Sequence, residues 1–197
     1  MSDGKNLLTL HYLSTADMRK LRTIEISRLS VEDYRMAEKI PLVVVMDNVR
    51  SMHNVGSVLR TADAFRVEKV VLCGITGCPP HVEIHKTALG AEDSVCWQYC
   101  DSAVSAVDDL RRQGYVVCSI EQAEGSTMLD DFRSQKNRKY AVVLGNEVKG
   151  VMQEVIDRSD FTLEIPQYGT KHSLNVSVTA GIVIYHFARQ FLLPPHV

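Results

Sequence analysis

From Pro41 onward, short runs of β-branched and apolar residues alternate with stretches that carry helical spacing. The runs LVVVM (42–46), KVVLC (69–73), SVCWQ (94–98), YVVCSI (115–120), YAVVL (140–144) and FTLEI (161–165) read as strands. Helices are expected between them at 54–65, 102–113 and 151–158, followed by one long final helix. LVVV and AVVL are apolar without alternation, as parallel strands covered on both faces should be. The pattern therefore predicts an α/β fold, a mostly parallel sheet with helices on both sides. From Val176 to Leu192 only Ser177, Thr179, His186, Arg189 and Gln190 are clearly polar, so this helix belongs in a core or a subunit interface. Ahead of the first strand, residues 15–39 read as one or two helices, with an N-cap at Ser30 and a stop at Pro41.

With 197 residues the chain suits one domain with a substantial core. It divides into a helical N-terminal extension, 1–40, and a main domain, 41–197. A net charge of -2 gives no sign of a general polyanion binder, so any contact with nucleic acid needs locally gathered cations. The extension carries seven Lys/Arg against six acids, with a small basic knot at Arg19-Lys20-Leu21-Arg22. That segment reads either as a solvated helical face or as a substrate-gripping arm. The opening residues lack the apolar core of a signal peptide, and there is no run of 18 apolar residues. A cytoplasmic chain with no membrane span is expected, in which five cysteines are reduced thiols. The spacings of Cys73/Cys78 and Cys96/Cys100 are too loose for a zinc site. His81 and His85 lack the companion glutamate of a zinc-protease helix and read as surface or loop residues, so no metal is expected.

No G-x-G-x-x-G follows a strand and no P-loop motif occurs, which argues against dinucleotide folds and P-loop NTPases. In open α/β sheets ligands bind beyond the carboxyl ends of the strands. Three such ends carry unusual loops here: DNVRSMHNVGSVLRTADAF after 42–46, GNEVKGV after 140–144, and PQYGTKHSLNVSV after 161–165. Each combines glycine, which admits a ligand to the backbone, with amides, hydroxyls or a charge. In the first, Asn54 or Ser57 is a candidate helix cap. Arg60 is either an ion-pair partner of Asp63 or Asp47 or a grip for phosphate or a substrate oxygen.

Taken together and in this order, the three segments resemble the motifs of the SpoU/TrmH family of RNA 2′-O-ribose methyltransferases, in the SPOUT superfamily. The N-x-G-x-x-x-R-T-A motif is matched by Asn54, Gly56, Arg60, Thr61 and Ala62. G-x-E-x-x-G is matched by Gly145, Glu147 and Gly150, and the third motif by Ile165, Pro166, Gly169, Ser173, Leu174, Asn175 and Ser177. HKTALGAE (85–92) resembles the K-x-S-x-G-A segment of the family, with Ala88 where serine is common. The likeness covers about residues 41–192.

The resemblance implies a five- or six-stranded parallel sheet whose C-terminal part forms a deep trefoil knot, an exception to the rarity of knots. It implies S-adenosylmethionine as cofactor, held by Leu144, Gly145, Asn146, Ile165, Pro166, Ser173 and Leu174. It also implies a homodimer packed through the C-terminal helix. The reaction is methyl transfer to a ribose 2′-hydroxyl, with Arg60 central and Asn54, Glu147, Ser173 and Asn175 arranging it and the ribose. A guanidinium rarely gives up its proton, so Arg60 is assigned to stabilise the developing alkoxide and anchor a phosphate. The nearly balanced extension favours a tRNA substrate over rRNA. Three alternatives are SPOUT base methylation, a non-catalytic RNA-binding role, and a serine hydrolase using Ser173. The last lacks a G-x-S-x-G elbow.

Overall fold

A computed structural model describes residues 19–192. Its elements run α1 (Val31–Met36), β1 (Ile40–Asp47), α2 (Met52–Ala64), β2 (Val67–Cys73), α3 (Val82–Ala88), α4 (Ala91–Ser94) and β3 (Trp97–Cys100). Then follow α5 (Ala103–Arg112), β4 (Tyr115–Ile120), β5 (Thr127–Met128), β6 (Lys139–Leu144), α6 (Gln153–Ile156), β7 (Phe161–Glu164) and α7 (Val176–Leu192). The strands form one sheet in the order β3-β2-β1-β6-β4-β7-β5. Every pairing in it is parallel.

The unbroken apolar runs are explained by two cores. On β1, Leu42, Val44 and Met46 face a core shared with α2, α3 and α7, while Val43 and Val45 face a second core shared with α5 and α6. A strand covered on both sides has no polar face, which is why alternation is missing from its sequence. α7 buries Val176, Ala180, Val183, Ile184, Phe187 and Ala188. The Phe187 ring lies 5.7 Å from Phe132 and 5.4 Å from Tyr140, between ring centroids. Burying such a side chain contributes about 1.5–3 kcal/mol.

Several local expectations need correction. The sheet has seven strands rather than five or six, because the two-residue β5 pairs with β7 through Thr127 and Met128. A pair of residues makes no readable run. The strand expected at 94–98 starts at Trp97: Gly90, at φ 92°, opens the short α4, and the N–H of Val95 closes it on the Ala91 carbonyl. The helix expected at 151–158 is the single turn of α6, cut short where Asp160 turns to accept the Val117 N–H at 2.8 Å. α2 begins at Met52, and its cap is Ser51, whose hydroxyl accepts the Asn54 N–H at 3.3 Å. Neither Asn54 nor Ser57 is the cap.

His81 and His85 are exposed, as expected of surface residues, but they sit at the start and in the body of α3 and not in a loop. His81 caps α3 by accepting the Glu83 N–H, and His85 meets the Glu92 carboxylate at 2.5 Å. Within the expected 1–40 extension, residues 1–18 lie outside the described residues. The rest holds a short 3-10 turn, Thr23–Glu25, and α1, capped by Ser30 as expected. α1 ends at Met36, ahead of the stop expected at Pro41, which already lies in β1. Tyr34 of α1 is buried in the core.

α2 and α3 pack closely because Gly56 presents no side chain. A Cβ there would collide with the Thr87 hydroxyl and the Ile84 carbonyl. Alanine improves an ordinary helix position by about 1 kcal/mol, whereas overpacking a close contact costs about 1–3 kcal/mol. Gly56→Ala is therefore expected to lower stability despite its better helix propensity, as read from urea denaturation midpoints against wild type.

Candidate functional site

The loops that follow β1, β4, β6 and β7 converge at the carboxyl ends of four neighbouring strands. Glu147, in the loop after β6, reaches across to the loop after β1. One of its oxygens accepts the Ser51 N–H and the Asn54 amide, each at 3.0 Å, and the other accepts the Arg50 N–H at 3.0 Å. The side-chain oxygen of Asn54 accepts the Asn175 amide at 3.2 Å. The side-chain oxygen of Asn175 in turn accepts the Ser177 N–H at 2.8 Å and its hydroxyl at 2.6 Å, which caps α7. Asn54, Glu147 and Asn175, from three separate loops, thus form one continuous relay.

Burial works to raise the Glu147 carboxyl. The N–H donations from Arg50, Ser51 and Asn54 outweigh it and leave the group below its ordinary value of 4.5. Asp47, at the end of β1, shifts the other way: burial pushes it up, against the N–H donations of Met152 and Asn48. Its contact with the Met152 N–H at 3.2 Å ties the end of the β6 loop to β1. Asn146 adds a second tie, donating its amide to the Asn48 carbonyl at 2.7 Å and accepting the Val148 N–H at 2.9 Å.

Beside the relay lies a cavity of about 930 Å³. Leu144, Leu163, Ile165 and Val176 supply apolar wall, and the segments 145–151 and 172–175 supply polar edges. Gly145 and Gly150 set its shape. A Cβ on Gly145 would strike the Gly150–Val151 backbone, and one on Gly150, at φ 67°, would strike the Glu121 carboxylate. Of the residues expected to hold a cofactor, Leu144, Gly145, Asn146, Ile165, Ser173 and Leu174 line this cavity. Pro166 does not, although Ile165 and Gln167 on either side of it do.

Arg60 stands apart. It is exposed on α2, is absent from the cavity wall, and makes no hydrogen bond or ion pair among the described residues. No ion pair with Asp63 or Asp47 is formed; Asp63 accepts the Ser94 hydroxyl at 2.5 Å and Asp47 the Met152 N–H. Ser173 is exposed, and its hydroxyl has no hydrogen-bond partner among the described residues. The segment after β4, Glu121–Glu124, forms a wall that the sequence reading missed. It has no motif, and its only signal was its place after an apolar strand. A further concavity of about 1010 Å³, bordered by Arg35, His85 and Trp97, contains none of the expected site residues.

All five cysteines are free thiols. Among the described residues, no group of three His, Cys, Asp or Glu could hold a metal ion, and no helix is long and apolar enough to cross a membrane.

The model of the SpoU rRNA Methylase family matches residues 41–185. A Staphylococcus haemolyticus protein described as of the TrmH family of tRNA/rRNA methyltransferases is 31% identical over 160 residues, covering 81% of this chain and 63% of the relative. The chain thus spans somewhat less than two thirds of that relative's length. An AdoMet-bound rRNA methyltransferase from Sinorhizobium meliloti superposes with a TM-score of 0.73 at 26% identity, over 82% of this chain and 61% of that one. A structure concerned with 2-OH methylation of C/U34 on tRNA superposes with a TM-score of 0.66 at 27% identity, over 76% of this chain and 95% of that one.

The clamp can be tested through its charge. A carboxyl held below its ordinary value contributes stability above pH 4.5, and that contribution is lost as pH falls through the lower folded value. Glu147→Gln is expected to cost about 1 kcal/mol at pH 7, a modest amount because the residue is exposed. The gap from wild type should close as pH falls below 4.5, measured by urea denaturation across pH.

Proposed function

This chain belongs to the SpoU rRNA methylase family, and we propose that it is an S-adenosylmethionine-dependent methyltransferase acting on an RNA ribose 2′-hydroxyl, with tRNA as the substrate. The observation that carries the reading is the relay Glu147–Asn54–Asn175 beside a cavity of about 930 Å³. Three segments expected to cooperate are physically joined, next to a space of the size that holds small-molecule ligands. The tRNA target draws support from the similar chain concerned with C/U34 methylation, 95% of which is spanned here. A cytoplasmic setting accords with that substrate.

The cavity fits the cofactor. Gly145 and Gly150 expose backbone on its wall, and Leu144, Ile165 and Leu174 offer apolar contact while Asn146 and Ser173 offer polar groups. Bound there, S-adenosylmethionine supplies an electrophilic methyl on a positively charged sulfur. The protein's task is then to position the hydroxyl and manage its proton. Arg60, with no partner of its own among the described residues, is available to grip an RNA phosphate and to stabilise negative charge developing on the 2′-oxygen. Glu147 already accepts three N–H donors and lies below its ordinary value, which suits a positioning residue better than a base. Asn54 and Asn175 transmit that positioning, and the exposed Ser173 hydroxyl is left to meet ribose or cofactor.

Chain path and surface support the remaining features of this reading. β7 lies beyond β4, yet α7 packs back on α2, β1 and β6. The connecting residues 165–175 share the cavity wall with the loops 120–124 and 144–151, an arrangement that suits a C-terminal trefoil knot. On α7, Val178, Ile182, Tyr185 and Leu192 are exposed at helical spacing along one stripe, interrupted only by Arg189. Such a stripe suits a homodimer seam. Of the 1–40 extension, the described part joins the main domain, since Tyr34 is buried in its core and Ile40 opens β1.

Two measurements test this. Arg60→Ala should abolish labelling of 2′-O-methylnucleosides when unmodified total tRNA and deuterated-methyl S-adenosylmethionine are supplied, while calorimetric cofactor affinity stays close to wild type. Equal loss of cofactor binding would remove Arg60 from its assigned role, and label on a base would replace ribose as the target. Ile182→Asp should convert a dimer to monomers in light scattering, and an unchanged mass would move the seam elsewhere.

A further inference from the structure

The wall contributed by the segment after β4 is held in place by one carboxylate. Glu121 donates its backbone N–H to the Leu163 carbonyl at 3.1 Å, which aligns it with the end of β7. One of its side-chain oxygens accepts the Val151 N–H at 3.0 Å, and the other accepts the Gln122 N–H at 2.9 Å. The adjoining Gln122 amide donates to the His172 carbonyl at 3.2 Å, reaching the third loop. Glu121 is half-buried, and its carboxylate is packed so tightly on Gly150 that a side chain there would collide with it. A negative charge is thereby fixed on the wall by backbone donors.

The charges around the cavity are unequal. Glu121, Glu124 and Glu147 border it, with Lys149 as the single ammonium or guanidinium on the wall. Glu147 is tied to the loop after β1, which does not line the cavity, and Glu124 is exposed. That leaves Glu121 as the carboxylate whose position is set by the cavity's own loops. A charge held at the edge of a partly enclosed space acts on a ligand charge through a lower effective dielectric than water.

We propose that Glu121 makes this cavity selective for the cationic sulfonium form of its ligand over the neutral thioether that remains after methyl transfer. The inference rests on the methyltransferase reading above and extends it to the binding and release of the cofactor. When the methyl leaves, its bonding electron pair stays on sulfur and the positive charge there disappears. The attraction to Glu121 disappears with it, so the spent cofactor is held less tightly and fresh cofactor displaces it. Glu121 acts on the ligand's charge, not on the reacting hydroxyl.

The test compares affinities for S-adenosylmethionine, S-adenosylhomocysteine and sinefungin, an analogue with a protonated amine in place of the sulfonium methyl. Binding is measured by calorimetry on the full chain. Glu121→Gln keeps an oxygen to accept the Val151 N–H but removes the charge. It is expected to weaken both cationic ligands about ten-fold, ~1.4 kcal/mol, and the neutral thioether less than about two-fold. Glu121→Asp keeps the charge on a shorter arm, so absolute affinities fall while the ratio of sulfonium to thioether affinity stays nearer wild type than in the Gln variant. Equal weakening of all three ligands by Glu121→Gln would reduce Glu121 to a structural tie and overturn the inference alone. A wild-type chain that binds none of the three would overturn the methyltransferase reading and the inference with it.

Discussion

Glu147 joins two loops that lie 93 to 97 residues apart in the chain, and the arrangement of the site depends on that junction. Its carboxylate satisfies two backbone N–H groups ahead of α2 and the side chain of Asn54, in the first turn of that helix. Asn54 then passes the connection to Asn175, which caps α7. Backbone N–H groups at a helix start need acceptors, and here two helix starts are served by one relay. The demand for satisfied donors and the assembly of the site are met by the same contacts.

The sheet makes that junction possible. In a parallel sheet every strand delivers its following loop to the same edge, and β1, β6, β4 and β7 are successive neighbours. Loops distant in sequence therefore meet without long excursions. The inner strands are covered on both faces, so their ends are rigid platforms. Asp47 and Asn146 use those platforms, tying the loop after β6 back to the end of β1. Gly145 and Gly150 let the loops that line the cavity pack closely, since any side chain at either position would meet protein atoms. Glu121 shares the same crowding, since its carboxylate, which a side chain at Gly150 would strike, is fixed on the cavity wall by the Val151 N–H.

The α/β class and the parallel sheet were legible because burial on two faces leaves a signature no other strand has, visible in Leu42–Met46 and Ala141–Leu144. Asn54, Glu147 and Asn175 were legible as a group only through the resemblance to a known family, since each is an ordinary polar residue in a loop. What failed locally were the short elements. β5 and α4 are set by pairing with β7 and by the turn at Gly90, neither of which has a periodicity. Helix α3 was missed because it buries only Ile84 and Ala88, too few positions to mark a face.

By itself, then, the chain's pattern determined which runs are buried strands, that α7 is apolar enough for a core or a subunit interface, and that three strand ends carry unusual loops. Those properties depend on side-chain polarity and spacing, which are local. Only the tertiary structure decided that Glu147 is a clamp, that Glu121–Glu124 walls the cavity, and that Arg60 and Pro166 stand off it. It also decided that the apolar body of α7 divides into a buried face and an exposed stripe at Val178, Ile182 and Tyr185. Hydrogen-bond partners, cavity walls and the covered side of an all-apolar helix are relations between distant segments. They come into being only when the sheet order brings those segments together.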